Sequence, residues 1–389
     1  MKILFVGNGM LRSDQYPIPD IGGSVQTWGL SKALAERKNE VYIVRRGNEE
    51  DRKVQGVTLI SIPFKGIENM MPSYSAPFFM SVMASKIYFS GKSLKKIIGV
   101  DPDIVCLIDR FTGIFPATLS LPKVYIMHVP EILDCFRPYD IRANKLNALL
   151  FYVKKGTETS VMKRADKVVV LNTFMKNYLE TKGFTNLVKI PNAVDTQQFI
   201  GNGDKNYVLY AGRFDWNKNV CSLVKAFATL RERRRGYHLY LIGEGPEERK
   251  IRDLINKNAL QSQVTIIPWL QRKQLREFLG NCSILFLPSF FEASPVIVLE
   301  AMASGKPVIA KNNIGTSDIV AHNTTGYLYN NTHELEGYLE LLLSDEGLRK
   351  KLGWNARKII EQRYTFAKVA ERYEELFHCT VKEFDGKKS

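Results

Sequence analysis

The sequence predicts an α/β protein with two domains, each built on a parallel sheet. Its 389 residues exceed the size of one typical domain. Within residues 284–310, an apolar run, a loop, a second apolar stretch and a glycine succeed one another, which is the strand–loop–helix–strand pattern of a parallel sheet. Residues 200–206, rich in Gly, Asn and Asp, have the composition of a linker, so we place the domain boundary there.

In the first domain, short apolar runs alternate with helical stretches. A helix is predicted from Gly22 and Gly23 to about Lys38. Two glycines at a helix start let the backbone approach an anion closely, although a tight turn explains them equally well. The predicted strands are Lys2–Val6, Val41–Val44, Ile104–Ile108 and Val124–Met127, with a further strand within 165–172.

The second domain repeats the pattern. Ser294 is the expected N-cap of a helix over 296–304, Pro295 suits its first turn, and Gly305 suits its left-handed end. The strands are predicted near 207–211, 238–242, 264–267, 284–287 and 308–310. A last amphipathic helix is expected over about 366–378, followed by a frayed tail at 384–389.

Composition limits the class of protein. A hydrophobic share of 45% supplies well-packed cores, and five scattered cysteines indicate reduced thiols. The chain has no apolar run of 18 residues, and residues 1–6 suit a first strand better than a signal peptide, so a cytoplasmic protein is expected.

The net charge of +15 is concentrated in the first half. A basic surface faces nucleic acid, acidic substrates or anionic lipid, and no nucleic-acid-binding signature accompanies the charge. Residues 66–96 combine aromatic residues and methionines with a lysine cluster, which suits either a peripheral membrane contact or an ordinary packed helix with a basic end.

Two carboxylates bracket the start of the helix at 296. Glu300 lies about 7–8 Å along the helix axis from Pro295, at roughly 1.5 Å per residue, and Glu292 lies outside the helix. The free N–H groups between them are a natural phosphate seat. Carboxylate, phosphate seat and carboxylate match the sugar, diphosphate and ribose of a nucleotide sugar, provided that both acids face the ligand. A capping acid plus a surface glutamate is the simpler alternative.

Two cations follow the strand at 207–211. Arg213 and Lys218 suit a diphosphate leaving group, whose charge grows as the sugar–phosphate bond breaks. Other motifs fail: Gly7-Asn8-Gly9 lacks the third glycine of a dinucleotide fingerprint, because Arg12 stands there. Asp101-Pro102-Asp103 precedes a strand and suits a turn rather than a metal site.

Together these motifs resemble retaining glycosyltransferases of family 4. The resemblance rests on Glu292-x7-Glu300, on Gly212-Arg213-x4-Lys218, on the Gly243-x-Gly245-Pro turn and on Gly22-Gly23, and it extends over nearly the whole chain. It implies the GT-B fold: two Rossmann-like domains facing across a cleft, with the C-terminal helix crossing back to the first. The domains would be 1–200 with 370–389, and 201–369.

The resemblance also implies residue roles. Glu292 would hold the sugar hydroxyls, Glu300 the ribose, and Arg213 with Lys218 the diphosphate, while His128 would line the acceptor side. The remaining implied donor-binding residues are Gly22, Gly23, Gly212, Gly243, Gly245, Ser294, Pro295, Val296, Ile297 and Val298.

The implied reaction is a retaining, metal-independent hexosyl transfer without a cofactor, from a UDP- or GDP-sugar to a glycan or lipid-linked acceptor. The chain departs from the family at Asn172, Ala193 and Asp318, where serine, glycine and the glutamate of a Gly-Gly-x-x-Glu segment are usual.

Three alternatives stay open. An inverting or epimerising GT-B relative using UDP-N-acetylglucosamine would differ in the product anomer. A nucleotide-sugar-binding protein without turnover would fail to hydrolyse its ligand. An RNA-binding protein would bind RNA in a salt-dependent way and ignore UDP and GDP.

Overall fold

The computed structural model describes residues 1–7, 22–47, 50–63, 76–128, 145–230 and 236–387. The chain divides into two compact units, Met1–Pro191 with Val369–Ser389, and Asn192–Lys368. Each unit is a Rossmann-like α/β layer structure around a largely parallel sheet. None of the described helices combines the length and the apolar character needed to cross a bilayer.

The first unit contains an eight-stranded sheet in the order β3-β4-β2-β1-β5-β6-β7-β8. All neighbours are parallel except β3 and β4. The strands are β1 (Lys2–Val6), β2 (Glu40–Arg46), β3 (Arg52–Val54), β4 (Val57–Ile62), β5 (Ile104–Leu107), β6 (Lys123–Ile126), β7 (Lys167–Val170) and β8 (Leu187–Lys189).

The central strand β1 is apolar on both faces because helices cover both sides of a parallel sheet. Its residues from Ile3 to Val6 are fully buried between β2 and β5. The helices of the first unit are α1 (Gly22–Glu36), α2 (Ala76–Val100), α3 (Lys145–Arg164) and α4 (Thr173–Thr181), and α11 (Phe366–Gly386) joins them from the end of the chain.

Helix α11 is longer than the sequence predicted. Its Glu374 pairs with Arg37 and accepts a hydrogen bond from Asn39, both next to the end of α1. Glu383 pairs with Lys167, and the Phe384 ring lies 5.7 Å from the Lys123 ammonium. The expected frayed tail is therefore wrong as far as Gly386, because these contacts hold the last turns against the first unit.

The second unit has a six-stranded, wholly parallel sheet in the order β11-β10-β9-β12-β13-β14. Its strand order reverses between β9 and β12, and in such sheets that reversal point is where ligands bind. The strands are β9 (Tyr207–Ala211), β10 (His238–Ile242), β11 (Val264–Ile267), β12 (Ile284–Leu287), β13 (Val308–Lys311) and β14 (Gly326–Tyr329).

Helices cover both faces of this sheet, and two apolar clusters of buried residues fill the space between. The strand–loop–helix–strand pattern predicted for 284–310 is confirmed as β12, α8 and β13, with Gly305 at a φ of +67°. The helices are α5 (Val220–Thr229), α6 (Glu248–Lys257), α7 (Arg272–Asn281), α8 (Val296–Ala303), α9 (Thr332–Ser344) and α10 (Glu346–Arg363).

The unit boundary falls after Pro191 rather than at residue 200. Residues 200–206 were expected to be a linker, but they belong to the second unit. Asn202 N donates to the Gly280 carbonyl and Lys205 N to the Asn281 carbonyl. These hydrogen bonds attach the polar segment to the end of α7, which composition alone does not reveal.

Candidate functional site

The reversal point of the second sheet brings together the loops that follow β9 and β12. Asn217 in the first loop accepts a hydrogen bond from Phe290 N at 2.7 Å through its carbonyl oxygen. Its side-chain amide donates to the Phe291 carbonyl at 3.0 Å. Segments 73 and 74 positions apart in sequence are thereby fixed side by side at the carboxyl edge of the sheet.

Lys218 and Glu292 meet across these two loops. The Lys218 Nζ lies 2.5 Å from Glu292 Oε1, and both side chains are mostly shielded, at 23% and 12% exposure. A short 3₁₀ turn, Trp216–Lys218, places the lysine, and its cap Asp215 accepts from Lys218 N. A partly buried, charge-assisted hydrogen bond of this kind gives both groups a defined position.

The backbone of Glu292 is held by the loop after β13. Glu292 N donates to the Ile314 carbonyl at 3.2 Å. Gly315 has a φ of +94°, and a Cβ there would lie 2.1 Å from the Glu292 carbonyl oxygen. Glycine is therefore required at 315 for the loop to pack against Glu292. This segment is where the sequence departs from the family's Gly-Gly-x-x-Glu pattern.

Arg213 lies in the same loop as Lys218, with more access to solvent. Its side chain is 46% exposed and its Nε lies 3.5 Å from Asp215 Oδ2. Tyr210, buried in β9, donates from its hydroxyl to the Arg213 carbonyl at 2.7 Å. Burial first, and then the carboxylates of Glu292 and Asp215, raise the pKa of the Tyr210 phenol. Tyr210 therefore stays protonated and acts as a support for the backbone at Arg213.

The start of α8 differs in detail from the prediction. Pro295 is the N-cap residue, and Ser294 is not. Ser294 instead accepts from Asn192, by its hydroxyl from the backbone N–H and by its carbonyl from the side-chain amide. Asn192 is the first residue of the second unit. Because Ser294 accepts its two hydrogen bonds, the serine does not cap the helix.

Among the predicted phosphate-binding N–H groups, the one at Val298 donates to the Pro295 carbonyl at 3.1 Å. The first N–H groups of a helix have no partner within it, which leaves those of Val296 and Ile297 directed beyond the helix start. Both residues are half-buried. Fewer backbone N–H groups are therefore available to bind an anion than the sequence suggested.

Glu300 is where the structure departs most from expectation. The residue is only 2% exposed, and its Oε1 lies 2.5 Å from the Arg272 guanidinium. Burial raises the pKa of the Glu300 carboxyl, and Arg272 opposes that shift. The expectation that both acids stand open to a ligand is thus not met: each is paired with a cation, and Glu300 lies inside the unit. A buried carboxylate needs such a partner to remain charged.

The three glycines near the reversal point have packing roles of their own. A Cβ at Gly243, whose φ is +140°, would lie 2.0 Å from the Gly212 carbonyl oxygen. A Cβ at Gly245 would lie 2.4 Å from the Phe214 carbonyl oxygen, and one at Gly212 would lie 2.8 Å from the Tyr210 hydroxyl. Close approach of the loops after β9 and β10 is sufficient to require glycine at 243 and 245, and the Tyr210 side chain restricts position 212; contact of the three glycines with a donor stays a prediction.

Three predicted residues belong to the first unit. Gly22 and Gly23 open α1, and no described heavy atom lies within 4 Å of a Cβ built at Gly23. His128 follows β6 and is half-buried, and desolvation lowers the pKa of its imidazole to about 4. The imidazole is therefore neutral at physiological pH, able to accept one hydrogen bond and donate another.

The described part of the chain offers no group of three or more His, Cys, Asp or Glu side chains placed to hold a metal ion. Cys106, Cys221 and Cys282 are buried free thiols, and Cys379 is an exposed one. Asp103, from the candidate Asp-x-Asp, accepts from Lys2 N at 2.7 Å, in keeping with a turn. Cys135 and residues 66–75 of the candidate membrane segment lie outside the described residues.

Sequence reasoning missed two residues of the site. Asn192 holds Ser294 from 102 positions away, and Arg272 holds Glu300 from 28 positions away. Arg272 sits in the polar stretch Gln271–Arg276, where nothing local sets it apart from its neighbours. Only the fold brings it to the acid.

Two protein families match the chain in succession. Residues 21–198 match Glycosyltransferase Family 4, and residues 193–359 match Glycosyl transferases group 1. The two matches meet at the unit boundary and together span 21–359.

Known proteins of similar length are also similar to this chain in sequence or in fold. An uncharacterized glycosyltransferase of Methanocaldococcus jannaschii is 26% identical over 378 residues, covering 92% of this chain and 96% of that protein. Sucrose-phosphate synthase from Thermosynechococcus elongatus has the same fold, with a TM-score of 0.75 at 19% identity over 98% of this chain and 99% of that one. The Anabaena protein HepE, solved in complex with UDP and glucose, has a TM-score of 0.67 at 16% identity over 97% and 100%.

Proposed function

Because both family matches and the similar proteins indicate a glycosyltransferase, we propose that the chain transfers a hexose from a nucleoside diphosphate sugar, with retention of anomeric configuration, to a glycan or lipid-linked acceptor. The donor is a UDP- or GDP-sugar, and the reaction uses neither a metal ion nor a cofactor. The second unit binds the donor, and the first unit binds the acceptor.

The observation that carries this proposal is the ion pair of Lys218 and Glu292 at the reversal point of the second sheet, with Arg213 in the same loop as Lys218. Ligands of such sheets bind at this edge. A lysine ammonium has three donor hydrogens, so Lys218 can bind a phosphate oxygen while it still donates to Glu292. The diphosphate and the sugar are thereby assigned to adjacent groups.

The chemistry follows from the charges. As the sugar–phosphate bond breaks, negative charge grows on the diphosphate, and Arg213 with Lys218 stabilises it more in the transition state than in the ground state. The N–H groups of Val296 and Ile297 add to that stabilisation. Glu292 accepts hydrogen bonds from sugar hydroxyls and orients the ring, with its own position fixed by Ile314 and Gly315.

Two further residues complete the donor site in this proposal. Glu300 is assigned to the ribose hydroxyls, which requires its buried carboxylate to become accessible when the donor binds; its contact with Arg272 leaves lone pairs for those hydroxyls. Gly243 and Gly245 let the backbone after β10 pass beside the nucleotide. HepE of Anabaena was solved with UDP and glucose, which favours a uridine nucleotide for this chain as well.

In the first unit, Gly22 and Gly23 at the start of α1 stay predicted donor-binding residues, and His128 hydrogen-bonds the acceptor as a neutral imidazole. An acceptor anchored in a membrane fits the basic first half, which holds ten of the fifteen net positive charges. The exposed face of α2 carries Tyr88 and Ile98, at 51% and 64% exposure, among exposed lysines. We place this face against the cytoplasmic surface of a membrane.

The proposal is tested first by a thermal-shift screen with UDP, GDP and ADP. Bound ligand raises the apparent stability by mass action, and we expect a clear shift with UDP or GDP. The same nucleotide joined to a hexose should then be hydrolysed slowly in the absence of an acceptor, and NMR of the released sugar should show the α-anomer first when an α-linked donor is used. A shift with none of the three nucleotides overturns the donor assignment.

The outcomes separate the alternatives. Release of the opposite anomer indicates an inverting relative, and conversion of UDP-N-acetylglucosamine to its epimer indicates an epimerase. Nucleotide binding without any hydrolysis or transfer indicates a binding protein. Salt-dependent retention on RNA without a nucleotide response indicates a nucleic-acid-binding role.

A further inference from the structure

Arg272 occupies an unusual position for a charged residue at the first turn of a helix. Its guanidinium is 18% exposed and lies between two groups of the second unit. On one side its Nη2 donates to Glu300 Oε1 at 2.5 Å, and on the other it faces the Phe199 ring at 5.6 Å. Phe199 is 3% exposed, so the guanidinium packs against a residue of the core.

The pair lies next to the region where a nucleotide is proposed to bind. Arg272 begins α7, directly after the loop that leaves β11, and Glu300 lies in the second turn of α8. Both elements follow the carboxyl edge of the same sheet, on either side of the reversal point. A ribose between the base and the diphosphate would lie beside this pair.

We propose that Arg272 is a positioning residue that fixes the Glu300 carboxylate for recognition of the ribose hydroxyls of the donor. The inference rests on the proposed function and adds to it the residue that orients the Glu300 carboxylate. A guanidinium binds a carboxylate with directed N–H groups, so it sets the orientation of the acid and leaves the other lone pairs for hydroxyl donors.

The charge of Glu300 depends on very few groups. On α7, Arg272 and then Arg276 favour the ionised carboxyl, while burial opposes it. On α10, Arg357 donates to the carbonyls of Thr196, Phe199 and Ala303. On the sheet side β12 is uncharged, and β13 carries one charge, Lys311, at its last residue. Loss of Arg272 therefore removes the largest favourable influence on the ionised acid.

The experiment compares nucleotides that differ only in the ribose 2′-hydroxyl. Binding of UDP and 2′-deoxy-UDP, and of GDP and 2′-deoxy-GDP, is measured by calorimetry for the wild type, R272Q, R272K and E300Q. R252Q is the matched control, because Arg252 is an exposed arginine of α6 paired with Glu248. Affinity for the deoxy form reports whether each variant keeps a folded nucleotide site.

We expect the wild type and R252Q to bind the ribose form tighter by on the order of tenfold or more, as for a hydrogen bond to a charged group. R272Q and E300Q should bind both forms about equally, at the wild-type affinity for the deoxy form. R272K, which keeps the charge but not the planar fork, should retain part of the discrimination. In R272Q the discrimination should return as pH rises, because the carboxyl of Glu300 then ionises without its arginine.

The possible failures are distinct. A wild type that binds no nucleotide overturns the proposed function. A wild type that binds but does not discriminate, or an R272Q variant with the wild-type ratio, overturns only this inference. If R272Q does not fold, R272K decides: an unchanged ratio refutes the role of the fork, and a reduced ratio with normal binding of the deoxy form supports it.

Discussion

The Lys218 ammonium lies 2.5 Å from the Glu292 carboxylate, although 74 positions separate the two residues in sequence. The pair exists because β9 and β12 are neighbours at the reversal point of the sheet, so the loops that follow them share one edge. A cation assigned to the leaving group and an acid assigned to the sugar thus form one ion pair. Neither group is expected to work without the other.

The first prediction concerns that ion pair. Lys218→Gln should lower the kcat of donor hydrolysis or transfer by about 10²–10³-fold, since one stabilising donor to the developing charge is lost. Glu292→Gln should have an effect of similar size, and the double variant should lose far less than the product of the two. Steady-state release of the nucleoside diphosphate measures all three. Lys225→Gln, at an exposed lysine of α5, is the control and should behave as the wild type.

The second prediction concerns Gly315. Gly315→Ala should destabilise the second unit by roughly 1–3 kcal/mol, because alanine is strained at a φ of +94° and its Cβ collides with the Glu292 carbonyl. Turnover should fall as well, since the acid moves with its backbone. Gly337→Ala is the matched control in the exposed middle of α9, where no described atom obstructs a Cβ, and it should raise stability by about 0.5–1 kcal/mol. Urea unfolding measures both; equal stabilities would refute the packing argument.

The third prediction concerns acid stability. Burial opposes ionisation of Asp204, but hydrogen bonds from Ser283 and Asn206 N, together with Arg349, outweigh it and lower the pKa of this carboxyl. The ionised group therefore stabilises the fold above its unfolded pKa of about 3.9, and this contribution disappears as pH falls below it. Asp204→Asn should reduce the free energy of unfolding by about 1–3 kcal/mol at neutral pH.

The difference between wild type and Asp204→Asn should then shrink as the pH is lowered towards about 3. Urea unfolding at several pH values measures it. A difference that stays constant with pH would mean that the ionised form of Asp204 is not what stabilises the fold. Arg349, 6% exposed and 2.9 Å from Asp204, should show the same pH dependence when replaced by Gln.

The fourth prediction concerns His128. Since desolvation lowers the pKa of its imidazole to about 4, its NMR resonances should stay constant from alkaline pH down to mildly acid pH and move only near pH 4. A His128→Gln spectrum assigns the signals. A midpoint near the ordinary value of about 6.5 would show that the ring is hydrated, and would remove the reason for treating it as a neutral hydrogen-bonding group.

The fifth prediction concerns α2. Its Lys92 ammonium lies 5.5 Å from the exposed Tyr88 ring, and Lys95 is exposed on the same helix. Replacing both lysines by Gln should weaken binding to phosphatidylserine-containing vesicles by on the order of thirtyfold at low ionic strength, at about 1 kcal/mol for each lysine. The control is Lys358→Gln, beside the exposed Trp354 in the second unit. Co-sedimentation measures binding, and equal losses in both variants would exclude α2 as the contact.

Much of the fold follows from local sequence patterns. Short apolar runs ended by glycine or polar turns identify buried parallel strands, and the β12–α8–β13 unit was predicted almost to the residue. The frayed tail and the linker at 200–206 were wrong for one reason. Both segments are polar in composition, yet hydrogen bonds and ion pairs to distant residues hold them in place.

The site shows the same division. Glu292, Lys218 and Arg213 are recognisable because motif spacing places them after strand ends. Arg272 and Asn192 are not, because their partners lie 28 and 102 positions away. Their roles depend on which helices and segments pack together, and no sequence period records that. The deep burial of Glu300 was not predicted for the same reason.

The close packing at Gly212, Gly243 and Gly245 has a consequence for mutational scanning. A side chain at Gly243 or Gly245 would collide with the backbone of the neighbouring loop, and one at Gly212 with the Tyr210 hydroxyl, so folded protein is lost whether or not a nucleotide ever touches them. In a scan scored only by product formed, the three would be indistinguishable from residues that contact substrate. A parallel score of cellular abundance separates the two groups, and tolerance for alanine at Gly23 would be the informative contrast.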